Sequence, residues 1–254
     1  MGDERSSEPG GDRTGAEGDQ NGAVARLRRL DACAVSDACD RLGLGDRVSV
    51  AARPLTGPIR IAGRVMTVLL GPPGEPRESQ EPGASGEPGA SGEPGGRRHL
   101  CAAATDAATA DDVLVVAHQG RGDCAGWGGN LSRAARARGA AGTIVDGSVR
   151  DVDEAIAIGY PVFATGATPR TARGRAEEKA WGEPVSFDGI TVASGDYVVA
   201  DSTGVVFVAA ADLDAVVEAA QVIAATEAAM AADLDAGSAV SEVMGADYET
   251  MLER

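Results

Sequence analysis

Residues Gly126–Glu154 read GWGGNLSRAARARGAAGTIVDGSVRDVDE. A glycine-rich run opens it, and Leu131 to Arg138 then has helical spacing up to Gly139, a residue type that commonly ends helices. Ile144 and Val145 belong to a short apolar run of the kind found in buried strands. A second helical stretch, Val152 to Ile158, stops at Gly159. Moving outward, Val113 to Ala117 (VLVVA) supplies an apolar run before this unit, and Val162 and Phe163 belong to one after it. Strand, helix, strand, helix, strand predicts parallel β-α-β units with covered faces, hence an α/β fold.

Towards the N-terminus, residues 99–108 look helical, and residues 58–70 (PIRIAGRVMTVLL) read as a long strand in which Gly63 marks a bend or bulge. Val24, Leu27 and Leu30 fall at helical spacing. Ser36 is a candidate cap for a second helix with Val35 and Leu42 as apolar anchors and Gly43 as its stop. From Pro184 onward, VSF, ITVA, YVVA and GVVFVA predict short antiparallel or mixed strands, separated by turns at Asp188-Gly189 and Ser194-Gly195-Asp196. A long alanine-rich helix is expected over about 212–232, with a tail helix from Ser241 in a C-terminal segment, 236–254.

Two segments are set apart by composition. Residues 1–22 hold no Val, Ile, Leu or aromatic residue, so burial cannot offset the entropy of ordering them. Residues 71–96 are nearly all Gly, Pro, Glu and Ser, and PGASGE recurs at 82–87 and 88–93. Glycine falls on every third position from Gly83 to Gly95, too short a run for a triple helix, and a disordered surface insertion is expected. The remainder, 23–235, suits one domain with a sizeable core.

The net charge of −16 argues against nucleic acid or an anionic membrane as partner. No run reaches about 18 apolar residues, and the N-terminus lacks the apolar core of a secretory signal. Cys33, Cys39, Cys101 and Cys124 are scattered, as in a reduced cytoplasmic protein. There are two histidines, His99 and His118, and one lysine, Lys179.

In parallel sheets, ligands bind beyond the carboxyl ends of the strands. Two loops leave such ends here, His118 to Asn130 and Asp146 to Asp151, and neighbouring strands would set them face to face. Asn130 is a candidate N-cap, and free amides at that helix start would receive a carboxylate or phosphate. Arg150 can grip a carboxylate with two hydrogen bonds, and Asp151 offers a hard oxygen to Mg²⁺ or Mn²⁺. Gly120 to Ala125 matches G-x-G-x-x-A, but further glycines intervene before the helix, against a dinucleotide site. Trp127 and Trp181 are expected in packing roles, and Cys124 lacks a histidine partner in sequence.

Gly129, twenty residues, Arg150-Asp151, two residues, then Glu154 matches G-x20-R-D-x2-E/D. With VSDACDRLG (35–43), IAGRVMTV (61–68), AGWGGNLS (125–132), GTIVDGSVRD (142–151), GYPVFATGATP (159–169) and SGDYVVADSTGVVFV (194–208), the chain resembles the RraA-like, 4-hydroxy-4-methyl-2-oxoglutarate aldolase family over about 23–70 and 97–235. The resemblance implies a β-β-α layered swivelling domain, assembled as trimers or hexamers. It implies that Arg150 binds a pyruvate-type carboxylate, assisted by amides of Gly128, Gly129, Asn130 and Leu131. Asp151 would ligate the divalent metal and Glu154 would support from behind. Glu227 is the candidate for a carboxylate reaching a neighbouring subunit. This chain has Gly129 where relatives often carry an acid.

Cleavage beside a 2-oxo acid generates an enolate, which needs a Schiff-base lysine or a Lewis acid. Lys179 lies in a charged stretch and two separated histidines do not make a zinc site. The expectation is a class II aldolase, catalytic through Arg150 and Asp151, with oxaloacetate decarboxylation as companion activity. The competing expectation is a non-catalytic regulator of ribonuclease E activity, a branch that lacks the metal aspartate.

Overall fold

The computed structural model describes residue 22, residues 24–74 and residues 99–245. The expectations for 1–22 and 71–96 therefore fall almost wholly outside the described residues, as does most of the expected tail helix. A short helix at Val240–Val243 is what the described residues contain of the latter.

Residues 24–27 are helical. Helix α1 (Ala32–Arg41) follows, and its cap is Asp31, whose carboxylate accepts from Ala34 N at 2.8 Å. Ser36 instead sits inside the helix, so the expected cap is corrected by five residues. Two short strands, β1 (Val48–Ser49) and β2 (Arg53–Pro54), lead into the long β3 (Ile61–Gly71). Then come α2 (Ala102–Ala107), β4 (Asp112–Trp127), α3 (Gly129–Arg138), β5 (Gly142–Val149), α4 (Val152–Ala157) and β6 (Val162–Ala167). The chain finishes with β7 (Glu177–Trp181), the hairpin β8 (Val185–Phe187) and β9 (Ile190–Val192), then β10 (Tyr197–Ala200), β11 (Val205–Val208) and α5 (Leu213–Asp235).

The main sheet runs β1-β11-β10-β3-β4-β5-β6-β2, with β7 also paired to β3. Strands β3, β4, β5 and β6 are mutually parallel, and the flanking pairs are antiparallel. Alternation along each strand builds two cores. On one face α1 and α5 pack over Ala62, Tyr197, Val199 and Val206, while α2, α3 and α4 cover Leu114, Val116, Val145 and Val162. On the other face the β8–β9 hairpin lies over Val113, Val115, Ile144 and Phe163. Phe187 of the hairpin meets Phe207 edge to face, with ring centroids 5.3 Å apart. The layers are thus hairpin, sheet, helices, the β-β-α order expected.

Two local readings change. Gly63 is not a bulge. It sits in regular register opposite Val198, and a Cβ there would lie 2.1 Å from the Asp111 carbonyl oxygen. The bulge in β3 falls between Leu69 and Leu70, opposite β7. Trp181 is 39% exposed on β7 rather than packed inside. The Ala210–Asp235 segment is long and apolar enough by composition to cross a membrane, a property that core helices share. Its first half packs Leu213, Val216, Val217, Ala220 and Ile223 into the core.

Candidate functional site

Strands β4 and β5 are parallel neighbours, paired from Val113–Gly142 to Trp127–Val149. The expected loop from His118 is mostly strand. Register shifts between Ala117 and Trp127 let β4 carry extra residues, and Gln119 and Gly120 take left-handed backbone there (φ 56° and 66°). Gly120 to Ala125 lies inside this strand and opens no helix, so the dinucleotide fingerprint has no structural basis.

The two strand ends bring the expected residues together. Arg150 N donates to the Trp127 carbonyl at 3.0 Å, which pins the turn after β5 to the turn after β4. Asp151 stands in left-handed backbone, φ 58° and ψ 38°, an unusual conformation for a non-glycine residue. Its Oδ2 accepts from Gly129 N at 3.0 Å and from Arg150 Nε at 3.0 Å. Asp151 therefore caps α3 from outside. The N-cap position is Gly128, and Asn130 lies one turn-step inside the helix, correcting its expected role. Ser132 N makes the first intrahelical bond, to Gly128 O at 3.0 Å, so the amides of Asn130 and Leu131 precede the helical ladder.

Glycines make this approach feasible. A Cβ on Gly128 would lie 3.1 Å from both Arg150 Cγ and Asp151 Oδ2. A Cβ on Gly129 would lie 2.0 Å from Glu154 Oε2. Glu154 thus reaches over the start of α3, with its other oxygen paired to Arg133 Nε.

Partial burial raises the Asp151 carboxyl, but the Gly129 amide and the Arg150 guanidinium outweigh it. The net value lies below the usual carboxylate range. The group is a carboxylate at neutral pH, beside a cation and a helix start.

These residues line a cleft of about 710 Å³. One wall is Ala125 to Leu131, a second is Arg150 and Asp151, and a third is the Thr171 to Gly174 loop continuing to Glu178. Pro73, His99 and Leu100 close the rim. Trp127 is 2% exposed, and its indole Nε1 donates to Ser132 Oγ at 2.9 Å, so it is both core and wall. Sequence reasoning assigned nothing to His99, Arg173 or Glu178. The run of arginines in TPRTARGR within so acidic a chain was the available signal for Arg173.

Other candidates separate from the cleft. Glu227 is half-buried on α5, where burial and the carboxylates of Asp31 and Asp37 raise its pKa, and it is not a cleft-lining residue of its own chain. Lys179 pairs with Glu177 on β7. Cys124 does have a histidine neighbour, His118 Nε2 at 3.7 Å from Sγ. Both are buried, and burial raises the thiol and lowers the imidazole, the reverse of what a thiolate–imidazolium nucleophile requires.

The family model described as Aldolase/RraA matches residues 32–207. The Legionella pneumophila protein DlpA is 28% identical over 220 residues, 86% of this chain and 32% of that protein. A Deinococcus radiodurans protein named "Putative 4-hydroxy-4-methyl-2-oxoglutarate aldolase" is 41% identical over 95 residues, 37% of this chain and 59% of that one. The chain spans less than two thirds of the length of these relatives. A Pseudomonas syringae pv. tomato crystal structure of an uncharacterized protein superposes with a TM-score of 0.74 at 27% identity, covering 89% of this chain and 98% of its own. The Streptomyces coelicolor RraAS2 structure, described as an unusual member of the RNase ES inhibitor RraA protein family, gives a TM-score of 0.66 at 24% identity, covering 78% and 90%.

Proposed function

Since this chain belongs to the Aldolase/RraA family, we propose that its cleft is a lyase site, cleaving 4-hydroxy-4-methyl-2-oxoglutarate-type 2-oxo acids to pyruvate and decarboxylating oxaloacetate. The observation that carries this reading is the convergence of Arg150, Asp151 and the start of α3 on one cleft. Names of relatives support a lyase at family level.

In this reading Arg150 takes the carboxylate beside the ketone, and the amides of Asn130 and Leu131 donate to a second oxygen of the same group. The Gly128 and Gly129 backbone leaves room for Arg150, Asp151 and Glu154 to close on the helix start. Asp151 supplies a hard, ionised oxygen. Among the described residues no three His, Cys, Asp or Glu side chains converge. That donor set fits Mg²⁺ or Mn²⁺, which keep several waters and need one or two protein carboxylates, and does not fit zinc. Bound there, the metal would supply Lewis-acid polarisation of the ketone. Glu154 and Arg133 would hold the α3 start and limit movement of Asp151. In aldol cleavage the 4-hydroxyl gives its proton to water and becomes the carbonyl of the departing fragment, and in decarboxylation CO₂ departs. Either way the electron pair of the broken C–C bond stays on the pyruvate fragment as an enolate, which takes a proton from water while Arg150 retains its carboxylate. Both reactions share that enolate, so one site serves both.

The test is turnover of oxaloacetate by purified protein with Mg²⁺, with and without EDTA. Loss of turnover on chelation is expected, and equal rates in both conditions would sink metal dependence. A protein that turns over no 2-oxo acid but captures ribonuclease E would favour the regulator reading instead.

A further inference from the structure

The cleft holds a second guanidinium that the reaction above leaves unused. Arg173 lines the same cleft as Arg150, on the segment between β6 and β7. Nearby, Arg121 pairs with Asp123, Arg133 with Glu154, Arg150 with Asp151 and Lys179 with Glu177, while Arg170 and Arg175 of the same segment do not line the cleft. Among the described residues no carboxylate pairs with Arg173, in a chain whose net charge is −16. Its backbone is nonetheless held in place. Thr168 N donates to Val149 O at 2.8 Å, Ala125 N to Arg170 O at 3.0 Å and Ala176 N to Ala172 O at 2.9 Å. Arg121 Nη1 donates to the Arg175 carbonyl at 2.7 Å, and Arg173 N to Thr171 Oγ1 at 3.2 Å. An exposed guanidinium with no carboxylate partner, on a segment tied to the cleft's own strands, is a receptor for an anion.

We infer that Arg173 receives the second carboxylate of the substrate, and so selects 2-oxo dicarboxylates over 2-oxo monocarboxylates. The inference rests on reading Arg150 as the partner of the carboxylate beside the ketone. Arg173 is then a specificity residue remote from the bond that breaks. Its contribution is made equally before and during reaction, so it acts on KM more than on kcat.

The experiment is calorimetric titration, with Mg²⁺ present, of wild type, Arg173→Gln, Arg173→Lys and Arg150→Gln with 2-oxoglutarate and with pyruvate. Arg173→Gln should weaken 2-oxoglutarate about 10- to 100-fold, the span of one charge-assisted contact. Pyruvate should change less than about 2-fold, since it carries no group for Arg173. Arg173→Lys should recover part of the loss, whereas Arg150→Gln should weaken both ligands. If wild type binds both acids and Arg173→Gln weakens neither, or weakens both alike, the inference fails alone. If wild type binds neither acid, the reading of Arg150 fails and this inference falls with it.

Discussion

At residue scale the candidate site turns on one crowded point above Gly129. The Glu154 carboxylate occupies the volume that any side chain at 129 would claim. Gly129→Ala should therefore push Glu154 away and break its pair with Arg133, an exposed pair worth at most about 1 kcal/mol. Chemical denaturation should show a loss of about that size in wild type and almost none in a Glu154→Ala background, as a double-mutant cycle would register. Asp151→Asn separates structure from chemistry at the neighbouring position. Asparagine tolerates left-handed backbone and can still accept the Gly129 amide, so the melting temperature should barely move. Turnover of oxaloacetate should drop by about 100-fold or more with the charge gone, and an Asn variant of wild-type activity would remove Asp151 from the mechanism. The sequence pointed to Arg150, Asp151 and the glycines, because their spacing is a linear pattern. It misassigned the cap of α3, because the true cap lies 22 positions away and only folding brings it there.

At the scale of elements, the parallel β4-α3-β5-α4-β6 unit was readable from apolar runs punctuated by Gly139 and Gly159. Both glycines take left-handed backbone at helix ends, φ 82° and 65°. The length of β4 was not readable. Residues 118–127 hold glycines and charges that mimic a loop, yet their backbone pairs through successive bulges with Gly147, Ser148 and Val149. Gly63 illustrates the same limit. A glycine in a strand signals close approach or a bulge, and sequence does not say which. Here the approach is by backbone, so Gly63→Ala must displace the Asp111 carbonyl against the β3–β4 pairing. We expect a loss of about 1–3 kcal/mol in denaturant unfolding. An Ala variant as stable as wild type would contradict that packing. Asp31→Ala should cost about 1 kcal/mol through loss of the α1 cap, while Ser36→Ala should be close to neutral.

On the scale of the whole molecule, His118 is buried between the two strand ends, near where Gly126 and Gly147 leave no room for side chains. Its Nε2 lies 2.9 Å from the Cys124 carbonyl, and Nδ1 has no partner. Burial lowers its pKa from the ordinary value of about 6.5. Because the folded value is the lower one, the stability it lends is present above about pH 6.5 and is lost as pH falls through the folded value. Thermal melts from pH 7.5 downward should show wild type losing stability below about 6.5 more steeply than His118→Gln, by no more than about 1.4 kcal/mol per pH unit. Parallel curves would mean that His118 does not titrate with folding. The sequence by itself determined the class of fold, the parallel unit and the Arg-Asp pair, because periodicity, helix stops and motif spacing are local properties of a chain. Only the tertiary structure decided that Asp151 caps α3, that Glu154 fills the space over Gly129, and that the 170–176 segment folds back to set Arg173 in the same cleft. Those are contacts across many residues, and the energies that select them arise from burial and hydrogen bonding that exist only once the layers have packed.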